Sequence, residues 1–200
     1  MPKITLLVLT MAVMLTGGTA FAAAIGMPEE GGRWGYSLGV AHVVVDDPDA
    51  STRKEWALRP LSLVYTDRWL YGTRYWGEAF YQETALDAGA GQIGQQVRQL
   101  GARLSLQKSL PLSSVVTPWF GVGVQLSHNQ FHKRHTIDSD GYLMASYPDR
   151  NEFHASLLLN MVVEYRLYRN WDVAAKLEQV VPLAEGVSES VISAVLLYRY

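Results

Sequence analysis

Alternation constrains this chain more than any other feature. Between residues 99 and 107, Leu100, Ala102, Leu104 and Leu106 are interleaved with Gln99, Gly101, Arg103, Ser105 and Gln107. The segment 120–127 repeats the pattern with Phe120, Val122, Val124 and Leu126 against Gly121, Gly123, Gln125 and Ser127. A period of two is the signature of a β-strand with unlike faces. The same reading predicts eight strands, at 34–45, 58–65, 70–82, 97–108, 117–129, 153–168, 171–181 and 189–200. In the last of them Ile192, Ala194, Leu196, Tyr198 and Tyr200 share one face, and Ser193 and Arg199 lie on the other. The run Val43-Val44-Val45 at the end of the first breaks the pattern.

A soluble sandwich also alternates, with its apolar side inward. Three signs point instead to a membrane barrel with the polar side inward. The polar faces carry Gly, Ser, Gln and Asn beside charges, which suits a crowded hydrogen-bonded lumen. The apolar faces end in Trp34, Tyr36, Tyr65, Tyr71, Tyr165, Trp171, Tyr198 and Tyr200, the makings of an interfacial girdle. The connections also alternate. Long ones are predicted at 46–57, 83–96 and 130–152, and short ones at 66–69, 109–116 and 168–170. The connection 182–188 is short for an outer loop. The expected fold class is all-β: an eight-stranded antiparallel up-and-down transmembrane β-barrel. With both barrel ends in the periplasm, its long loops face outward.

The N-terminal segment fits export to an outer membrane. Lys3 precedes an apolar core from Ile4 to Leu15, followed by Gly17, Gly18 and the small-residue run 19–24. The core is too short for a spanning helix, which needs about twenty residues, and it reads as a secretory signal peptide. Residues 1–22 are assigned to it, with cleavage after Ala24 as the alternative, and 25–200 to one barrel domain. There is no cysteine, so stability must come from burial and backbone pairing. A net charge of −2 gives no reason to expect nucleic acid as a partner.

Three motifs together resemble a known group. They are Thr117-Pro-Trp-Phe-Gly-Val-Gly-Val-Gln125, the stretch from Val163 through Asn170-Trp171 to Glu178, and the aromatic ending. Here the chain resembles the small OmpA-like and OmpX-like outer-membrane barrels. The resemblance covers roughly the C-terminal half. It implies the fold, a place in the bacterial outer membrane, contact with its lipid and lipopolysaccharide, and delivery by the outer-membrane assembly machinery through the closing strand. It implies little about activity, because that architecture serves anchors, adhesins, enzymes and narrow pores alike.

Three sets of residues carry possible chemistry. By strand parity Arg74, Glu78, Arg103, Glu164, Arg166, Lys176, Glu178 and Arg199 point into the lumen. There they form either an ion-pair plug or the lining of a narrow porin-like path, which Trp76, Phe80 and Trp119 would obstruct. His128, His132 and His135 lie among Asp138, Asp140 and Asp149 and are weak metal candidates, because their spacing suits a helix face and the segment is a strand end. His154 and Ser156 share a strand face with Glu164. A family of outer-membrane lipid A deacylases uses a similar His-x-Ser pair, but follows it with Asn where Leu157 stands here. Ser156 and Glu164 are also roughly 26 Å apart on an extended strand. The expectation is therefore a monomeric, non-enzymatic barrel without cofactor, serving envelope structure or surface contact. The alternatives are a small-solute pore and a lipid-modifying enzyme.

Overall fold

The computed structural model describes residues 31–45, 53–70, 72–90, 92–110, 116–184 and 186–200. The expected signal peptide and Tyr71 lie outside the described residues. The strands are β1 (Arg33–Val45), β2 (Arg53–Arg68), β3 (Thr73–Leu86), β4 (Gly94–Ser109), β5 (Val116–Ile137), β6 (Leu143–Ser146), β7 (Arg150–Tyr168), β8 (Trp171–Pro182) and β9 (Val187–Arg199). All eight predicted strands are present, and each neighbouring pair is antiparallel. The ring closes where β1 pairs with β9 along its whole length, from Arg33↔Arg199 to Val45↔Val187. The ninth strand, β6, pairs with the far end of β5 beyond the ring.

The short turns and the two ends of the barrel share one edge, called the rim here. The long connections share the other, the crown. At the rim the β2–β3 turn is held by Thr73 N donating to Leu70 O at 2.8 Å, and Gly72 takes φ 65°, a left-handed value that suits glycine. Toward the crown the strands outrun their predicted limits. Arg53–Ala57, Glu83–Leu86, Gly94–Gln96, Gln130–Ile137 and Arg150–Glu152, which alternation places in loops, are strand. The apolar face gives way to His and charged residues there, although the backbone pairing continues. With 22 residues in β5 and 19 in β7, these two strands stand well above a membrane that about 9–11 residues suffice to cross.

Side-chain direction follows the alternation. Leu38, Val40, Leu58, Leu100, Leu104, Leu126, Leu177 and Ile192 all face outward and exposed. Below them the aromatic side chains form a girdle at the rim: Trp34 packs on Tyr65 with ring centroids 4.5 Å apart, Tyr65 on Tyr75 at 5.8 Å, and Trp171 on Tyr198 at 5.0 Å. Tyr36, Tyr165 and Tyr200 are exposed along the same edge. The break at Val43-Val44-Val45 is only apparent. Val43 and Val45 are buried and Val44 faces out, because the lumen is itself apolar near the crown.

An outward belt of this kind is stable only against hydrocarbon. Leu104→Arg near mid-belt is expected to cost about 2–4 kcal/mol in a denaturant titration in lipid vesicles. Leu104→Phe should be tolerated there. Equal stability of the two variants would show that the wall is not lipid-facing.

Candidate functional site

The lumen is filled in layers. Nearest the rim is an ionic layer. Arg33 Nη1 donates to Glu164 Oε2 and to Asp172 Oδ2, both at 3.0 Å, and Arg199 Nη2 reaches Asp172 at 2.8 Å. Arg74 pairs with Glu164 and donates through Nε to Gln107 at 2.6 Å, its guanidinium lying 4.0 Å from the centre of the Trp119 ring. Above this layer Val64, Trp76, Trp119, Val162, Ala174, Val195 and Leu197 form an apolar one. A hydrogen-bonded thread crosses it along one wall. Gln107 Nε2 donates to Asn160 Oδ1 at 3.0 Å, and Asn160 Nδ2 donates to Ser105 Oγ at 2.8 Å.

A second ionic layer occupies the middle. Arg103 donates to Glu178 at 2.7 Å, to Glu189 at 2.8 Å and to Gln125 at 2.5 Å. Arg59 donates to Glu189 at 2.5 Å and to Gln82 at 3.0 Å, and Lys176 pairs with Glu78 and, at 2.8 Å, with Glu178. The cations Arg59, Arg103 and Lys176 thus meet the anions Glu78, Glu178 and Glu189, and the layer is neutral. Both guanidinium groups also lie over Phe80, 4.7 and 4.4 Å from its ring centre, where the π face attracts cations. Gly101 makes room for that ring, since a Cβ there would stand 2.7 Å from it. Nearer the crown, Ala41, Val43, Val45, Ala57, Leu86, Val97, Phe131, Val187 and Val191 form another apolar layer.

Of the charges placed inward from sequence, Arg74, Glu78, Arg103, Glu164, Lys176 and Glu178 lie in these layers. Arg199 is only partly covered, at the edge of the lower one. Arg166 does not lie in these layers, contrary to the sequence expectation. Its side chain is 53% exposed at the rim, with Nε 4.0 Å from Asp172, because β7 ends there and the lumen has opened. The set placed inward from sequence leaves out Asp172, which alternation puts on the same polar face as Lys176 and Glu178, and sequence reasoning missed Arg33, Arg59 and Glu189. Arg59 precedes a register shift opposite Ser37–Gly39, at Pro60, which has no N–H to give a ladder. The shift reverses the parity of β2, and Pro60 was the signal for it. Arg33 and Glu189 fall at the limits of the predicted strands 34–45 and 189–200.

The histidines near the crown are engaged singly. His128 contacts Gln130 at 3.3 Å, His132 Nδ1 meets Asp149 at 2.8 Å, and His135 Nδ1 donates to the carbonyl of Lys133 at 2.7 Å. The hydrogen bond from His132 holds the Asp149 carboxyl below the usual carboxylate range. Among the described residues no group of three or more such side chains is arranged to hold a metal ion. His154 Nε2 is bonded to Glu152 at 2.7 Å, and Ser156 is buried below it, facing the lumen and away from lipid.

No family model matches the sequence, and no curated protein matches it. Solved structures do match in fold. Ail, the attachment invasion locus protein of Yersinia pestis, aligns with TM-score 0.53 and 13% identity over 85% of this chain and 99% of that one. Neisserial surface protein A aligns with TM-score 0.52 and 16% identity over 86% of this chain and 100% of that one. The fold is that of the small bacterial outer-membrane barrels. With a charged interior and an apolar wall, it is a membrane protein.

Removing one member of a buried ion cluster strands its partners. Glu189→Leu, which deprives both Arg59 and Arg103, is expected to cost about 3–5 kcal/mol in denaturant titration. A loss below about 1 kcal/mol would show that the middle layer does not hold the barrel together.

Proposed function

We propose that this chain is a non-conducting, non-enzymatic outer-membrane barrel that presents its crown for contact outside the cell. The observation that carries this reading is the crossed filling of the lumen, two ionic and two apolar layers in which Arg59, Arg74, Trp76, Phe131 and Lys176 are fully buried. Eight-stranded barrels leave an interior that side chains can fill. A path for ions would have to open both neutral pairs and tryptophan packing.

The crown supports the contact role. β5 and β6 extend beyond the ring as a hairpin, and Tyr142, Leu143 and Met144 at its tip are 73%, 66% and 69% exposed. Three successive apolar side chains clear of the lipid belt are costly unless something meets them. The solved relatives in fold include an attachment protein and a surface protein by name, which agrees with this reading. The engagement of His154 by Glu152 and the burial of Ser156 weigh against a hydrolase.

In planar bilayers the folded protein should give no unitary conductance steps. A protease site inserted between Asp138 and Tyr142 should be cut on intact cells, while one in the Arg169–Asn170 turn is spared. Regular conductance steps would replace this reading with a pore. Release of acyl chains from lipid A by the purified barrel would replace it with an enzyme.

A further inference from the structure

The outward wall is not apolar throughout. Toward the crown, alternation turns His42 on β1, Ser190 on β9 and Gln179 on β8 to the lipid side. They are direct cross-strand partners: His42 lies opposite Ser190, and Ser190 opposite Gln179. On its other side His42 lies opposite Trp56 of β2. The four side chains therefore form one unbroken row across neighbouring strands. Apolar residues bracket it. Leu177 and Ile192 come next below Gln179 and Ser190 on the same face, and Val181 and Leu183 follow above Gln179. On β2, β4 and β5 the outward residues toward the crown include Leu58, Leu100 and Leu126, all exposed.

The row lies within the lipid belt. From Trp171 in the girdle to Gln179, a strand rising roughly 3.3 Å per residue and tilted by about 40° climbs roughly 20 Å. The apolar band of such barrels is about 25 Å tall. Gln179 and Ser190 thus stand just inside its crown edge, where acyl chains join their headgroups.

Its hydrogen bonds are incomplete. Ser190 Oγ donates to Gln179 Oε1 at 2.6 Å, which leaves the hydroxyl oxygen able to accept. Gln179 Nε2 reaches only the Val180 carbonyl, at 3.5 Å, and that carbonyl already accepts from Ser188 Oγ at 3.0 Å. The His42 ring lies 5.1 Å from that of Trp56 and has no hydrogen-bond partner among the described residues. The row therefore turns both donors and acceptors toward lipid, where unmet polar groups are costly.

We infer that this row binds an amide-linked, hydroxylated acyl lipid, one with donors as well as acceptors at the base of its chains. The inference rests on the membrane-barrel reading and adds a ligand class to it. An ester-linked lipid offers only carbonyl acceptors at this depth. Those suit the Gln179 amide N–H but leave Ser190 Oγ without a donor. An amide link adds an N–H and a chain hydroxyl adds an O–H, so both kinds of group in the row are met. Lipid is favoured over a second copy of the chain because two convex barrels touch along a narrow strip. The row instead follows the curved wall for roughly 14 Å, at about 4.8 Å per strand.

The test is competition between sphingomyelin and phosphatidylcholine. The two share a headgroup and differ in the amide and hydroxyl at the chain base. The protein carries Trp34→Phe, Trp69→Phe and Trp171→Phe, which leaves Trp56 on the outer wall while Trp76 and Trp119 are buried in the lumen. It is folded into fluid vesicles of both lipids, with brominated chains on one or the other. Quenching of Trp56 then gives their relative binding constant. Should the Phe variant not fold, native mass spectrometry of the unaltered protein reads the same ratio from the lipids it retains. Sphingomyelin should be preferred several-fold. Gln179→Leu with Ser190→Val should bring the ratio close to one without loss of the heat-modifiable folded band. A ratio near one in the parent, or a preference unchanged in the double variant, overturns the inference and leaves the barrel intact. The chain has no cysteine of its own. If Gln179→Cys oxidises to a disulfide-linked dimer in dilute vesicles, with no lipid preference in the parent, the row is an interface between copies and the inference is overturned. Absence of any folded band for the unaltered protein in every vesicle would instead undo the membrane reading itself.

Discussion

The closing ladder between β1 and β9 is what the rest of the structure depends on. A sheet in hydrocarbon cannot leave an edge, because each unpaired backbone N–H or C=O there costs several kcal/mol. Every residue of β1 is matched with one of β9, and inward Gly35 and Gly39 let these strands approach. At Gly35 an added Cβ would meet the Leu197 side chain at 2.8 Å, and at Gly39 it would meet Ser193 at 2.6 Å. The seam is sealed at the rim by Trp34 and Tyr198 on paired residues, with Tyr65 and Trp171 on either side.

Closure then dictates the interior. Eight strands enclose a narrow space that must be filled, and alternation directs half of every strand into it. A wholly apolar filling would leave little distinction between wall and lumen for a chain that must choose its register in lipid. A wholly ionic one would be expensive to desolvate. This barrel alternates the two along its axis. The middle ionic layer is neutral within itself, shares its hydrogen bonds with Gln82 and Gln125, and lies between apolar layers that exclude water from it. Its charges come from β2, β3, β4, β8 and β9, so the pairs tie together strands that are not neighbours in the sheet.

Much of this was legible in the sequence, and the misses have physical causes. Period-two alternation located every strand of the ring, because burial on one face and lipid on the other leave a clear pattern. It failed where that contrast vanished. Val43 and Val45 face an apolar part of the lumen, so both faces of β1 read alike. Along His132–Thr136 both faces are polar, so alternation stops short of the end of β5. Local faults in register escape a reading by period for another reason. Pro60 and Lys133 each mark a place where one strand gains a residue over its partner, and beyond it the inward set changes from odd to even or the reverse.

The second of these faults shapes the crown. Lys133 adopts φ 54°, a left-handed value unusual for a residue with a side chain, beside the register shift at Gly94–Gln96. Below it Gln125, Ser127, Asn129 and Phe131 point inward; above it Arg134 and Thr136 do. Arg134 is thereby turned into the mouth, where it donates to the Pro148 carbonyl at 3.1 Å and lies 5.6 Å from the Tyr147 ring. Those contacts hold the strand returning from β6, and Tyr147 N donates to the Arg134 carbonyl at 2.8 Å to complete the brace. The hairpin that carries Tyr142 to Met144 is thus held to the barrel by a bulge and one buried arginine. The same break in alternation that hid this segment from the sequence gives the crown its fixed shape.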